Sequence, residues 1–355
     1  MALNVDRPCG IFDRNYYQAM EIFRTPLRKG LMLAFIAAMY ALAFIVDDYI
    51  LSILIVICAF SVGMTGLQII TGYAGQISLG HAAFMGVGMY TMAIFQEHFG
   101  FSFWMALPLA GLVPMLIGML FGIPAVRIKG LYLAFASLAA HFVIVYTINN
   151  WRSVTNGTDG MYLHRPASFL GMDFLIDQYY YILVLTVTIV MVYFAKNLTR
   201  TKLGRAFVAV RDNDIAAEVM GINIAHTKVL AFGIGCFYAG IAGAIGGGYY
   251  EYVNVEWFTL TDSIWYLGFL VVGGMGSIFG AIAGAVVWKS LDEFSTLMTP
   301  FAEAVLGGMA FYASAAFSLV FYSLIVIVVL VLEPRGINHR WQIIKRSYRL
   351  HPFPY

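Results

Sequence analysis

Charge is what this sequence has least of. Only 11% of its 355 residues are Asp, Glu, Lys or Arg, against 61% apolar, where a water-soluble domain carries about 25% charge. So few charges cannot cover a globular surface in water, which excludes a soluble enzyme or binding module and leaves lipid as the solvent. Cysteine is scarce too: Cys9, Cys58 and Cys236 lie far apart, with no metal-ligand or redox spacing, and read as small apolar fillers. No metal site or cofactor is expected in this chain. It has no Gly-x-x-x-x-Gly-Lys-Ser/Thr run to hold ATP, and no His-Glu-x-x-His, Gly-x-Ser-x-Gly or Cys-x-x-Cys. Catalytic side chains clustered at one membrane face, as a membrane-embedded enzyme requires, are not visible. The thirty mixed residues before Leu31 are not expected to be a secretory leader.

Uninterrupted apolar sequence is what the chain has instead. Leu31–Val46, Tyr49–Thr71, Trp104–Ile123, Leu131–Ile148, Tyr179–Ala195 and Phe317–Leu332 each approach the roughly 20 residues that cross hydrocarbon. The expected fold class is therefore all-α: a polytopic transmembrane bundle of about eight to ten helices, some broken or re-entrant. Residues 30–337 form one membrane domain between an amino-terminal segment, 1–29, and a basic tail, 338–355. In the first segment Phe12, Tyr16, Met20 and Phe23 recur at helical spacing, which suits a helix on the membrane surface or a docking tail.

Lys and Arg set the orientation. With the amino end inside, the inner pieces hold the five basic residues before Leu31, Arg127 and Lys129, the six from Lys196 to Lys228, Lys289, and the five after Glu333. Only Arg152 and Arg165 fall outside, among Asp47, Asp48, Asp159, Glu251, Glu256 and Asp262. By the positive-inside rule both ends face the cytoplasm. Seven crossings are expected through Gly248. An odd number must then follow between Ser263 and Leu332, and three is favoured over one.

Two loops are too long to be simple connections. The outer one, Asn149–Gln178, is polar and rich in turn formers. The inner one, Lys196–Lys228, reads as helical, with Ile215, Val219 and Ile222 on one side, Asp214 as a plausible N-cap and Gly221 as the breaker. An apolar-faced helix held inside between two spans is a docking element for a soluble partner, unless it packs on its own membrane domain.

Glycine breaks the apolar pattern twice. Gly72-Tyr73-Ala74-Gly75-Gln76 precedes a helix expected from Ser78, and Gly273-Gly274-Met275-Gly276-Ser277 interrupts the pattern late in the chain. Such breaks in both halves point to a transport route built on discontinuous helices. Gln76, Ser78 and His81, with Gly273 and Gly276, are the candidate lining of that route. At a helix start within the membrane, free N–H groups suit an anionic ligand; plain capping and packing is the other reading. Stripes of small residues, Ser78-Ala82-Gly86, Cys236-Gly240-Ala244-Gly248 and Gly276-Gly280-Gly284, imply close helix packing. His141 and Glu303 are the ionisable groups placed in hydrocarbon, and a packing histidine or a snorkelling glutamate explains them as well as function does. Neither makes a proton relay, so energy is expected from outside the chain.

The run Gly75-Gln76-Ile77-Ser78-Leu79-Gly80-His81-Ala82-Ala83-Phe84-Met85-Gly86-Val87-Gly88-Met89-Tyr90 closely resembles the signature of permease subunits of branched-chain amino-acid ABC importers, the Liv family. Further resemblances follow in order: Lys129–Ala134, Asn150-Trp151-Arg152, Thr158-Asp159-Gly160, Gly204-Arg205-Ala206, Ala216–Ile222, Lys228–Phe232, Gly273–Ser277 and Glu333-Pro334-Arg335-Gly336. They cover about residues 30 to 337, and the long outer loop and Glu-Pro-Arg-Gly ending look like the M-type permease of the pair. The resemblance implies a bacterial inner-membrane subunit of about ten helices, in the larger importer class. Its partners would be a second, related permease, two cytoplasmic ATPase subunits holding ATP and Mg, and a periplasmic substrate-binding protein, with no nucleic acid. It makes Asp214–Ile222 the coupling helix. There Ile215 and Val219 would anchor in a groove, Asp212, Asp214 and Glu218 would meet complementary charges, and Ala217 and Gly221 belong to the same coupling element. Arg152, Asp159 and Arg165 would lie where the binding protein docks. Related permeases serve branched-chain amino acids, urea and short amides, or aromatic acids. A secondary transporter or channel needing no ATPase is the competing class.

Overall fold

In hydrocarbon every backbone N–H and C=O must find its partner within the protein, and apolar runs answer this as helices. The computed structural model describes residues 26–124, 130–166, 173–306, 310–333 and 335–350. Its long helices are α1 (Pro26–Ile45), α2 (Asp48–Leu67), α3 (His81–Glu97), α4 (Phe103–Gly122) and α5 (Leu131–Asn150). After the short α6 (Arg152–Thr155) come α7 (Asp177–Leu198), α8 (Lys202–Asp212), α9 (Asp214–Val219) and α10 (Ile224–Tyr250). The chain closes with α11 (Leu260–Gly273), α12 (Ile278–Leu306), α13 (Ala310–Leu332) and α14 (Ile337–Leu350). Residues 1–25 with Phe12, Tyr16, Met20 and Phe23, and residues 125–129 with Arg127 and Lys129, lie outside the described residues, as does the side chain of Glu303.

Among the described residues five helices are long and apolar enough to cross a membrane unaided, and two bent pairs, α11 with α12 and α13 with α14, raise the number to as many as seven if each pair is one span. The expected eight to ten included shorter elements as well. These are α1, whose apolar part is Lys29–Ile45, and α3, only 17 residues long. The polytopic all-α bundle is as expected.

The bundle has two distinguishable faces. One carries β1 (Met161–Tyr162) paired antiparallel with β2 (Tyr252–Val253), in the register Met161 to Val253 and Tyr162 to Tyr252. This small ladder joins the loop after α5 to the end of α10. The other face carries α8, α9 and both glycine breaks. From the strand face α11 leads to the breaks, α12 turns back by 119°, and α13 returns so that Gly336 lies against Gly274. The last part of the chain thus runs to the breaks, away from them and back.

Lys289 departs from its expected place at the inner face. It lies on α12, paired at 2.7 Å with both Asp292 and Glu293. Glu293 in turn accepts from Tyr49 at the strand-face start of α2, at 2.6 Å. The two carboxylates neutralise a charge that hydrocarbon would otherwise reject.

α10 is the central helix, and glycine is why it can be. A Cβ on Gly240 would collide with the Ala110 carbonyl of α4, and one on Gly243 with the Met85 carbonyl of α3. Cys236, Ala244 and Gly248 of the same stripe are buried. Lipid gives no hydrophobic drive to helix association, so close backbone approach and dispersion hold these helices together. The late stripe behaves likewise: Gly280 sits under the Gly273 and Gly274 carbonyls and Gly284 under that of Phe269.

Candidate functional site

The first break is a change of chain direction inside the bundle. After α2 the residues Gln68–Tyr73 continue as a π-helical turn, and Gly75 takes φ +69°, open to glycine without strain. The chain then runs back without helix to Gly80, and α3 begins at His81, three residues later than expected from the sequence. His81 Nε2 lies 2.7 Å from the Gly63 carbonyl oxygen. Gly63 precedes the end of the π turn by ten residues, roughly 15 Å at helical rise, so α3 starts near mid-depth.

Gln76, Ser78 and His81 are all fully enclosed, at 1%, 0% and 0% exposure. Gln76 Nε2 donates to the Lys228 carbonyl at 3.1 Å and its backbone N–H to that of Ile70 at 3.0 Å. Gln76 Oε1, Ser78 Oγ and His81 Nδ1 have no hydrogen-bond partner. Ser78 does not cap its own helix. The N–H groups of Leu79 and Ala82 instead donate to Ser137 Oγ of α5 at 2.9 Å and Ser263 Oγ of α11 at 3.0 Å. Two of the donors that an anionic ligand would use are therefore taken by serines from neighbouring helices. His141 Nδ1 approaches the same Ser263 hydroxyl at 3.5 Å, so this buried histidine belongs to the polar cluster at the break.

The second break packs directly on the first. Gly274 and Gly276 take φ +114° and +82°. Gln68 Nε2 donates to the Ser277 carbonyl at 3.1 Å and reaches that of Gly274 at 3.5 Å. A Cβ on Gly72 would lie 2.8 Å from the Gly276 nitrogen, and one on Gly273 would strike the Gly280 carbonyl. Glycine at these positions permits contact between the two interrupted segments, one from each half of the chain.

The loop expected to lie inside, Lys196–Lys228, forms two short helices beside the breaks. Thr201 caps α8 through Gly204 N–H at 3.4 Å. Asn213, not Asp214, caps α9, accepting from Ala216 N–H at 3.0 Å; Asp214 occupies the first turn, where its charge suits the helix dipole. Gly221 at φ +84° ends α9, and Ile222 N–H donates back to the Ala217 carbonyl at 3.0 Å. Ala217 is buried, while Ile215, Val219 and Met220 are 68%, 82% and 81% exposed. Asp212 pairs with Arg211 at 2.8 Å, and Asp214 and Glu218 rim a shallow hollow with Lys228.

At the strand face Arg152 and Asp159 are exposed, whereas Arg165 is built into the fold. Its guanidinium pairs with Asp177 at 2.6 Å and Glu251 at 2.7 Å, donates to the Tyr249 carbonyl, and sits between the rings of Tyr180 and Tyr249. A cation so enclosed ties the loop between α6 and α7 to α7 and α10.

Sequence reasoning missed Gln68, Ser137, Ser263 and Arg211. Lone polar residues in apolar runs were the signal for Gln68 and Ser137; Ser263, next to Thr261 and Asp262, carried none. Arg211 was counted only as one of the loop's positive charges.

A family model described as branched-chain amino acid transport system / permease component matches residues 45–330. The high-affinity branched-chain amino acid transport system permease protein LivM of Salmonella typhimurium strain LT2 is 29% identical over 267 residues, covering 69% of this chain and 63% of that protein. LivM of Escherichia coli strain K12 is 28% identical over the same shares. The matched region thus spans under two thirds of either relative. The L-arabinose transport system permease protein AraH of Escherichia coli strain K12 is 23% identical over 56% of this chain and 60% of its own length. No solved structure gives a significant match. A family match over most of the length agrees with the polytopic helical fold, and the chain belongs to the branched-chain amino acid transport system permease component family.

Proposed function

We propose that this chain is a transmembrane permease subunit of an ATP-driven, binding-protein-dependent importer, forming half of a translocation path for a branched-chain amino acid or a similar small solute. The observation that carries the reading is α9. It is a capped, six-residue helix with Ile215, Val219 and Met220 turned to solvent beside the two glycine breaks. Exposed apolar residues on a short, rigid helix are a surface for a partner's groove. In this reading α9 is the coupling helix of a cytoplasmic ATPase, and Asp212, Asp214 and Glu218 flank the contact. ATP and Mg belong to that ATPase. The chain lies in the bacterial inner membrane with both ends in the cytoplasm, and a related permease completes the path. Arg152 and Asp159 face a periplasmic binding protein, which sets most of the selectivity among amino acids, urea or short amides, and aromatic acids. Gln76, Ser78 and His81 line the passage.

The test is to replace Ile215 and Val219 by Asp. Membrane insertion should persist, while co-purification of ATPase subunits and uptake in proteoliposomes are lost together. Normal uptake by that double variant would favour a secondary transporter and end the importer reading.

A further inference from the structure

Arg211 occupies the last turn of α8, two residues before the Asn213 cap of α9. Its Nη1 donates to the Gly72 carbonyl at 2.8 Å. Its stem lies over Gly75, where an added Cβ would come within 2.7 Å of Arg211 Cγ. The same Nη1 is 3.5 Å from where a Cβ of Gly276 would be. One side chain therefore touches the first break at two points and borders the second. It is anchored at its base, because Phe207 and Val210 of α8 are buried while Asp212 holds its other guanidinium edge at 2.8 Å.

We infer that Arg211 is the positioning residue that carries the motion of α9 to both glycine breaks. The inference rests on the reading of α9 as the coupling helix. The physical case is stiffness and directness. α8 and α9 are joined by a single capping residue, so displacement of α9 moves the end of α8 and the Arg211 stem with it. The Gly72 carbonyl is the acceptor because the π turn frees carbonyls at the end of α2. A charge-assisted bond to it resists both pull and rotation. Gln68, donating across to Gly274 and Ser277, then makes the two breaks move as one unit. A guanidinium suits this post better than an ammonium. Its planar fork can hold Gly72 with one arm and Asp212 with the others, where lysine offers a single point of charge.

The experiment compares wild type, Arg211→Met and Arg211→Lys in the complete complex. Each is purified with its ATPase subunits and reconstituted in proteoliposomes with its binding protein. Three quantities are read: ATPase subunits retained, ATP hydrolysed, and solute taken up per ATP. Loss of a charge-assisted bond, about 1.5–3 kcal/mol, corresponds to roughly 10- to 100-fold. Arg211→Met should accordingly retain the ATPase and hydrolyse ATP, while uptake per ATP falls by about that factor. Arg211→Lys, which keeps charge and stem packing, should assemble as wild type and still lose several-fold in uptake per ATP. A merely structural role predicts that assembly, hydrolysis and uptake fall together in Arg211→Met, with Arg211→Lys normal, and that result overturns the inference. If wild type itself retains no ATPase, the importer reading fails, and this inference with it.

Discussion

His81 on α3 reaches back to the carbonyl of Gly63 on α2, with Nε2 and oxygen 2.7 Å apart. Two consecutive helices are thereby pinned in a staggered arrangement, one starting where the other is half complete. Replacing His81 by Phe keeps the ring volume and removes the bond. A stability loss of about 1–2 kcal/mol is expected, read as a lower melting temperature in detergent. An unchanged melting temperature would show that packing alone sets the stagger.

The passage reading makes a sharper demand on Ser78, whose hydroxyl has no hydrogen-bond partner in this conformation. Ser78→Ala should leave stability within about 0.5 kcal/mol, since no bond is broken. Uptake should nonetheless change measurably, as it should in Gln76→Ala, with assembly retained. Variants that assemble and transport as wild type would confine both residues to packing.

Close packing on α10 offers a test with its own control. Gly240→Ala drives a methyl into the Ala110 carbonyl and should cost about 1–3 kcal/mol or abolish folded yield. Gly246, six residues beyond Gly240 on the same helix, has only Ala59 Cβ at 3.8 Å in the way. Gly246→Ala should be neutral or slightly stabilising, because alanine is the better helix former. Fluorescence-detected size-exclusion after a heating series separates the two.

At the strand face, Arg165→Ala leaves Asp177 and Glu251 without their shared cation. The cation is 10% exposed but its partners are 29% and 51% exposed, so breaking these pairs costs about 1–3 kcal/mol. Faster proteolysis of the loop between α6 and α7 is the expected sign. Arg152→Ala and Asp159→Ala should leave proteolysis unaltered and lower only uptake stimulated by the binding protein.

The junction of α13 and α14 should respond to acid. The hydrogen bond from His339, aided by Arg340, holds the Glu333 carboxyl below its ordinary range. A lowered folded-state pKa stabilises the junction above the unfolded value and loses that stability as pH falls through the folded one. Fluorescence of Trp341, on α14, should therefore shift below about pH 4, and Glu333→Gln should remove the shift. A transition that persists in Glu333→Gln would assign the control to another group.

Much of this protein is written in composition. Eleven per cent charge and uninterrupted apolar runs dictate a helical membrane bundle, since the one alternative in lipid, a closed barrel, needs alternating segments of about ten residues. Gly75, Gly274 and Gly276 announce the two breaks, because their positive φ is costly for other residues. The exposed stripe of Ile215 and Val219 was legible from helical spacing, down to the Gly221 stop. Sequence could not say that the two breaks touch, that serines on α5 and α11 cap α3, or that Arg165 is neutralised by Asp177 and Glu251. Those partners lie tens to hundreds of positions away, and polar pairing in a bundle depends on which helix faces which. Only the tertiary structure decided that. The result is that Gln68 and Arg211, ordinary in the sequence, stand at the point where the inner loop meets both interrupted helices.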